Sequence, residues 1–230
     1  MVSLRDSFGR EFHYLRLSVT EACNFRCVYC LPEGYRRRAD EDEPLSVAEI
    51  HRLVVALAKL GVWKIRLTGG EPTLRRDLLE IAQTIASTPG IEKVALTSNG
   101  YRLRELAPEL KRAGFSALNV SVDSLDAEGF KSITGLPRWN DVMDGVDAAL
   151  KAGFPLVKIN TVLLKGYNDG QIEDFLAWTA RAPVSVRFIE LMRTGRNHEL
   201  FERCHISAEE IRSKILSAGW TEKPRGPGDG

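Results

Sequence analysis

Three cysteines lie close together near the start of the sequence, with the spacing C-x3-C-x2-C. They are Cys23, Cys27 and Cys30, and the only other cysteine of the chain is Cys204. Thiolates are the usual ligands of iron–sulfur clusters, which normally take four. Three thiolates leave one iron with an open position, as catalytic zinc sites keep one position open. The spacing favours an iron–sulfur cluster. The alternatives are a structural zinc site completed by Cys204 or a histidine, and a chance clustering of cysteines.

The composition is that of an ordinary globular protein with a full core. Hydrophobic residues make up 43% of the chain, charged residues 27%, and the formal net charge is +1. This balance gives no general electrostatic basis for binding nucleic acid or a membrane, so an anion site must come from a local group of basic residues. No apolar run approaches the roughly 20 residues that span a bilayer, and no signal peptide is recognisable. We expect a cytoplasmic protein, in which clustered cysteines indicate metal rather than disulfides.

The elements that must position these cysteines are short apolar strands alternating with helices. Capping boxes at Ser46 with Glu49 and at Ser207 with Glu210 predict two helix starts. Strands are predicted at Tyr14–Val19, Trp63–Leu67, Lys93–Thr97, Ala117–Val122, Val157–Val162 and Val184–Leu191. Helices are predicted from Ser46 to Gly61, from Asp77, over Leu103–Ala113, Asp141–Ala152 and Ile172–Ala180, and from Ser207 to Gly219.

This alternation indicates an α/β fold with a parallel sheet. Six units with right-handed crossovers curl towards a barrel, but they are too few to close an eight-stranded one. We therefore predict an open, partial barrel forming one domain over residues 1–230. The alternative is a flat doubly wound sheet, and the absence of G-x-G-x-x-G after the first strand weighs against its nucleotide-binding version.

Polar residues alternate with apolar ones along most of these strands, so the polar residues share one face of the sheet. The apolar face must meet the helices, which leaves Arg16, Arg66, Lys158 and Arg187 pointing into one cavity. Burying four cations without an anion to balance them would be very costly. The pattern therefore predicts a water-filled pocket for an anionic ligand. The alternative is that one face of an open sheet simply meets solvent.

The residues around the cysteines narrow the interpretation. Asn24-Phe-Arg26 lies inside the triad, Tyr29 precedes its last cysteine, and Gly69-Gly-Glu-Pro72 follows the second predicted strand. Together these motifs resemble the signatures of the radical S-adenosylmethionine (SAM) superfamily. The resemblance implies a (β/α)6 barrel of the radical SAM type and a [4Fe–4S] cluster held by Cys23, Cys27 and Cys30.

Further segments resemble one family within it, GTP 3′,8-cyclase, the first enzyme of molybdenum cofactor biosynthesis. The resemblance runs from Asp6 to about Gly230. Members carry a further C-terminal region with a second three-cysteine cluster and an arginine-containing segment, so we expect this chain to be the barrel portion, cut within residues 226–230. The matching segments are Asp6-Ser-Phe-Gly-Arg10, Leu15-Arg-Leu-Ser-Val-Thr20, Cys30-Leu-Pro-Glu-Gly-Tyr35, Arg66-Leu-Thr-Gly-Gly-Glu-Pro72, Thr97-Ser-Asn-Gly100, Asn119-Val-Ser-Val-Asp123 and Lys158-Ile-Asn-Thr-Val162.

The resemblance also implies roles for individual residues. SAM would bind the open iron and be cleaved to a 5′-deoxyadenosyl radical, which rearranges GTP to (8S)-3′,8-cyclo-7,8-dihydroguanosine 5′-triphosphate. Family positions for SAM fall on Tyr29, Gly70, Ser121 and Met192. Family positions for GTP fall on Arg16, Arg66, Thr97 and Lys158, three of which are inward basic residues of the predicted strands. Without the C-terminal region we expect weak GTP binding and little cyclised product.

Other interpretations stay open. One is a radical SAM enzyme acting on another substrate, such as a peptide, although Lys158-Ile-Asn160 and Arg66 favour a nucleotide. Another is a non-catalytic iron–sulfur domain that needs a partner. Met192 could instead pack in the core, and Cys204 is assigned no role. The expected partners are GTP and a low-potential electron donor, with a homodimer as an open alternative and neither nucleic acid nor membrane.

Overall fold

The computed structural model describes residues 3–195 and 197–224. Residues 226–230, within which the family's barrel portion is expected to be cut, lie outside the described residues. All six predicted strands are present, with bounds within two residues of those expected. They are β1 (Tyr14–Ser18), β2 (Lys64–Thr68), β3 (Lys93–Ser98), β4 (Phe115–Ser121), β5 (Val157–Leu163) and β6 (Val184–Glu190).

The strands form one parallel sheet in the order β1-β2-β3-β4-β5-β6. A doubly wound sheet reverses its strand order at a switch point, and no reversal occurs in the described part of this sheet. Consecutive order with every pairing parallel is what successive right-handed βαβ units produce. The sheet is not closed, because β1 and β6 are its two ends. The prediction of an open, partial barrel is confirmed.

Helices follow the strands and cover one side of the sheet. Both predicted capping boxes are present, at Ser46 with Glu49 and at Ser207 with Glu210. The prediction lacked the two shortest α-helices, α4 and α7, of eight and seven residues. The helices are α1 (Val47–Lys59), α2 (Leu78–Ala86), α3 (Leu103–Arg112), α4 (Ala127–Thr134), α5 (Trp139–Lys151), α6 (Ile172–Arg181), α7 (His198–Cys204) and α8 (Ala208–Ser217), with a 3₁₀ turn at Pro72–Leu74.

The core lies between the apolar side of the sheet and these helices. Ile65, Leu67, Leu118, Val120 and Ile159 are fully buried there. Burying each such side chain stabilises the fold by about 1.5–3 kcal/mol. Their strand neighbours therefore face the concave side, as the alternation predicts. Within the described residues, no helix is long and apolar enough to cross a membrane.

Candidate active site

The cysteine loop follows β1 and is anchored in the core by one aromatic ring. Phe25 is 3% exposed and packs edge-on against Phe130 and Tyr101, with ring centroids 5.9 and 6.2 Å away. The backbone amides of Arg26 and Val28 donate to carbonyls at the end of α4, at 3.0 and 2.9 Å. This packing fixes the loop against the sheet and α4, so the thiols project from a well-supported backbone.

The three thiols are suited to binding a cationic metal centre. Burial raises the pKa of Cys23, Cys27 and Cys30, and the thiols near one another add to the rise at Cys23 and Cys27. A bound cationic cluster would offset both effects. No three or more His, Cys, Asp or Glu side chains among the described residues are grouped to hold one metal ion. Cys204 does not complete such a site, since it is buried in an apolar cluster with Leu164.

The loop after β2 lies directly on the cysteine loop. The amides of Gly70 and Glu71 donate to the carbonyl oxygens of Thr20 and Ala22, at 2.8 and 2.7 Å. A Cβ atom at Gly70 would lie 2.4 Å from the Ala22 oxygen, and one at Gly69 would lie 2.3 Å from the Thr20 oxygen. Only glycine permits such close backbone approach. Both glycines therefore hold two loops together and are not mere turn residues.

Glu71 of the same motif connects the ends of β2 and β3. Its buried carboxylate accepts hydrogen bonds from Thr73 N and Oγ1, Ser98 Oγ and Asn99 N, at 2.6–3.0 Å. Burial raises the pKa of Glu71 and these bonds oppose the rise. The Asn99 side chain donates to Asn24 Oδ1 at 2.8 Å, which ties the loop after β3 to the cysteine loop.

On the other side, the cysteine loop is tied to the end of β4. Tyr29 Oη donates to Asp123 Oδ2 at 2.7 Å, and Asp123 Oδ1 accepts from the Val162 amide at 2.9 Å. Burial raises the pKa of Asp123 to about 6, although both hydrogen bonds lower it. The pKa of Tyr29 is also raised, chiefly by burial and then by the Asp123 charge.

The four candidate SAM positions all lie at or beyond the C-terminal ends of strands, where barrel enzymes place their sites. Tyr29, Gly70 and Ser121 are half-buried, whereas Met192 is 76% exposed in the segment after β6. Packing of Met192 in the core is therefore excluded.

The four candidate GTP positions line one cleft of about 890 Å³ on the concave side of the sheet. Arg16 and Arg66 are paired neighbours on β1 and β2. Arg66 is 5% exposed and donates from Nη1 to Thr97 Oγ1 at 3.3 Å, whereas Arg16 is exposed, so the basic face is buried at Arg66 and open to solvent at Arg16. The full lining is Tyr14, Arg16, Arg66, Thr97, Asn119, Leu156, Lys158, Asn160, Ser185, Arg187, Phe188 and Ile189.

The cleft is electropositive, because its described lining includes Arg16, Arg66, Lys158 and Arg187 and no carboxylate. Desolvation lowers the pKa of Lys64, and the charges of Arg66, Lys93 and Arg187 lower it further. Asp123 and Glu190, two carboxylates near the strand ends, form hydrogen bonds with Tyr29 and with His205, the latter at 2.6 Å. The arrangement suits a polyanionic ligand.

Two cleft residues were missed by the sequence reasoning. Tyr14 and Asn119 both line the cleft, although only its cations and Thr97 were selected from the sequence. The alternation places Asn119 on the polar face, so a signal for it was present. The alternation also places Tyr14 on the face of Arg16, but an aromatic side chain does not by itself indicate an anion site.

Comparison with known proteins identifies the family to which the chain is similar. Residues 17–179 match the Radical SAM superfamily. The chain is similar to curated proteins named GTP 3′,8-cyclase over its whole length. It is 56% identical to that of Aeromonas hydrophila subsp. hydrophila, covering 100% of this chain and 68% of the relative. It is 52% identical to that of Tolumonas auensis, covering 99% and 67%.

Solved structures with this fold are much more distant in sequence. A radical SAM methyltransferase from Sphaerobacter thermophilus superposes with a TM-score of 0.69 at 19% identity, covering 93% of this chain and 69% of the other. Methylornithine synthase superposes with a TM-score of 0.68 at 16% identity, covering 88% and 60%. At these identities the likeness supports the fold alone.

Proposed function

Because the chain belongs to the radical SAM superfamily and, within it, to the GTP 3′,8-cyclase family, we propose that it is a radical SAM core domain acting on GTP in molybdenum cofactor biosynthesis. A [4Fe–4S] cluster on Cys23, Cys27 and Cys30 would supply the electron that cleaves SAM to methionine and the 5′-deoxyadenosyl radical. The observation that carries the proposal is that all four candidate GTP positions line one cleft of the sheet.

The residues of the chain bind and orient the two ligands. Tyr29, Gly70, Ser121 and Met192 would hold SAM at the strand ends. The two loops packed through Gly70 would fix SAM relative to the cysteines, since neither loop can move without the other.

The triphosphate would lie in the basic cleft. Arg16, Arg66 and Lys158 line its wall, and guanidinium groups bind phosphate through strong, often bidentate, hydrogen bonds. Thr97 adds a hydroxyl next to Arg66. Holding the phosphates here would place the nucleoside towards the strand ends, where the radical is generated. Holding the reacting groups in a fixed orientation accounts for much of the rate acceleration in enzyme reactions.

The proposal includes two further elements. Reductive cleavage consumes an electron, so the protein needs a low-potential electron donor. We place the protein in the cytoplasm, where reducing conditions keep unbound thiols free for cluster assembly.

The test is anaerobic reconstitution followed by SAM cleavage and GTP titration. We expect about four irons per chain, formation of 5′-deoxyadenosine after reduction with dithionite, and calorimetric binding of GTP. Stoichiometric zinc without sulfide in anaerobically purified protein would overturn the cluster assignment. SAM cleavage without any GTP binding would instead support the alternative of another substrate, and mass spectrometry of the products would then identify the reaction.

A further inference from the structure

Asn119 carries a buried polar atom that the protein itself leaves unsatisfied. Its side chain lines the cleft on β4 and the residue is 4% exposed. Its Oδ1 has no hydrogen-bond partner among the described residues. Among the described residues, one other buried side-chain atom has no hydrogen-bond partner. It is Trp139 Nε1 on α5, which does not line the cleft. Most buried polar groups are bonded, so an unsatisfied amide in a binding cleft points to a partner from the ligand.

The sheet register locates this amide between the two candidate ligand sites. Asn119 pairs with Thr97 on β3 and with Lys158 on β5, two of the candidate GTP positions. Ser121, a candidate SAM position, lies two residues further along the same face of β4. Two residues of strand span about 7 Å. Asn119 therefore lies where a nucleotide would pass from the basic cleft to the radical.

We propose that Asn119 binds a ribose hydroxyl of the nucleotide substrate and so acts as a positioning residue for the sugar, an inference that rests on the proposed function. The ribose is the part of a nucleotide between the phosphates and the base. A hydroxyl both donates and accepts hydrogen bonds, so it satisfies the amide whichever way the amide is turned. With the amide turned as in the structure, an ionised phosphate oxygen, which only accepts, would leave Oδ1 unsatisfied.

The experiment compares GTP with its 2′-deoxy and 3′-deoxy analogues by anaerobic calorimetric titration. The parent chain should bind one of the analogues about tenfold more weakly than GTP, the effect of one hydrogen bond to a group that is otherwise left unsatisfied. Asn119→Ala should bind GTP as weakly as the parent binds that analogue, and should bind the two nucleotides alike. Asn140→Ala, on the exposed first turn of α5, is the matched control and should keep the discrimination of the parent.

A second variant separates lost recognition from misfolding. Asn119→Leu has similar size and removes the unsatisfied oxygen, so its thermal unfolding midpoint should equal or exceed that of the parent while the discrimination is lost. Equal discrimination by the parent and both Asn119 variants would overturn this inference and leave the proposed function intact. Absence of GTP binding by the parent would overturn both.

Discussion

Tyr14 and Arg66 form a hydrogen-bonded pair at the wall of the cleft. Arg66 Nε donates to Tyr14 Oη at 2.5 Å, and the guanidinium also lies over the phenol ring, 5.7 Å from its centroid. Lys64 Nζ lies 5.0 Å from the centroid of the same ring. One aromatic side chain on β1 thus orients two cations on β2. With Nη1 directed to Thr97, the buried guanidinium is held in one orientation before a ligand arrives.

Removing the hydroxyl of Tyr14 should therefore weaken GTP binding without removing a cation. Tyr14→Phe should bind GTP about three- to tenfold more weakly, because one hydrogen bond of about 1 kcal/mol no longer orients Arg66. Arg66→Ala should lose more GTP affinity than Tyr14→Phe, since the positive charge itself is removed. Anaerobic calorimetry measures both. Tyr167→Phe, in an exposed turn, is the control, and parent-like affinity of Tyr14→Phe would contradict the positioning role.

Removing one cysteine of the triad should abolish SAM cleavage. Cys27→Ala leaves two thiolates, which cannot hold a four-iron cluster with one open iron. We expect iron content after reconstitution to fall well below that of the parent and no 5′-deoxyadenosine to form. Cys204→Ala removes a buried thiol outside the triad and should keep the iron content and the SAM cleavage of the parent. Undiminished cleavage by Cys27→Ala would refute the assignment of the cluster ligands.

A methyl group at Gly70 should separate the two loops. The added Cβ would lie 2.4 Å from the Ala22 oxygen and 2.5 Å from the Glu21 oxygen. Both are backbone atoms, so relieving the clash requires the backbone to move, which costs free energy. Gly70→Ala should lower the free energy of unfolding by about 1–3 kcal/mol and weaken SAM binding.

Gly170→Ala is the matched control for this substitution. Its Cβ would have nothing within 4 Å, so we expect parent-like unfolding and SAM binding. Chemical denaturation and anaerobic SAM titration test both variants. Similar behaviour of the two alanine variants would show that the contact at Gly70 is dispensable.

The buried carboxyl of Asp123 should make stability depend on pH. Its pKa is raised from 3.8 to about 6 by burial, so between these values the native state keeps a proton that the unfolded chain has released. Stability from this group is full below pH 4 and is lost as the pH rises to about 6. Asp123→Asn removes this dependence.

The advantage of Asp123→Asn over the parent should therefore grow between about pH 4 and 6, by up to about 3 kcal/mol. It should be constant above about pH 7. Urea unfolding of the cluster-free proteins at several pH values measures the difference. A difference that does not change with pH would show that Asp123 titrates in the native state as it does in the unfolded chain.

The sequence by itself determined the strands and the direction in which the strand side chains point, and it predicted the cluster ligands. Cysteine spacing is local, and so is the two-residue alternation that places Arg16, Arg66 and Lys158 on one face. The two missed helices are short, and weak local signals such as Asp126, which caps α4, are easily passed over.

Only the tertiary structure decided which of these residues meet. Tyr29 and Asp123 are 94 positions apart, and Arg66 and Tyr14 are 52 apart, so their contacts depend on how the loops pack and how neighbouring strands align. The same holds for Asn119. The alternation puts it on the polar face, but an unsatisfied oxygen emerges only when every neighbouring strand and side chain is in place. The face on which a side chain lies is set by the geometry of its own strand. The residues that the side chain contacts are set by the register of several strands.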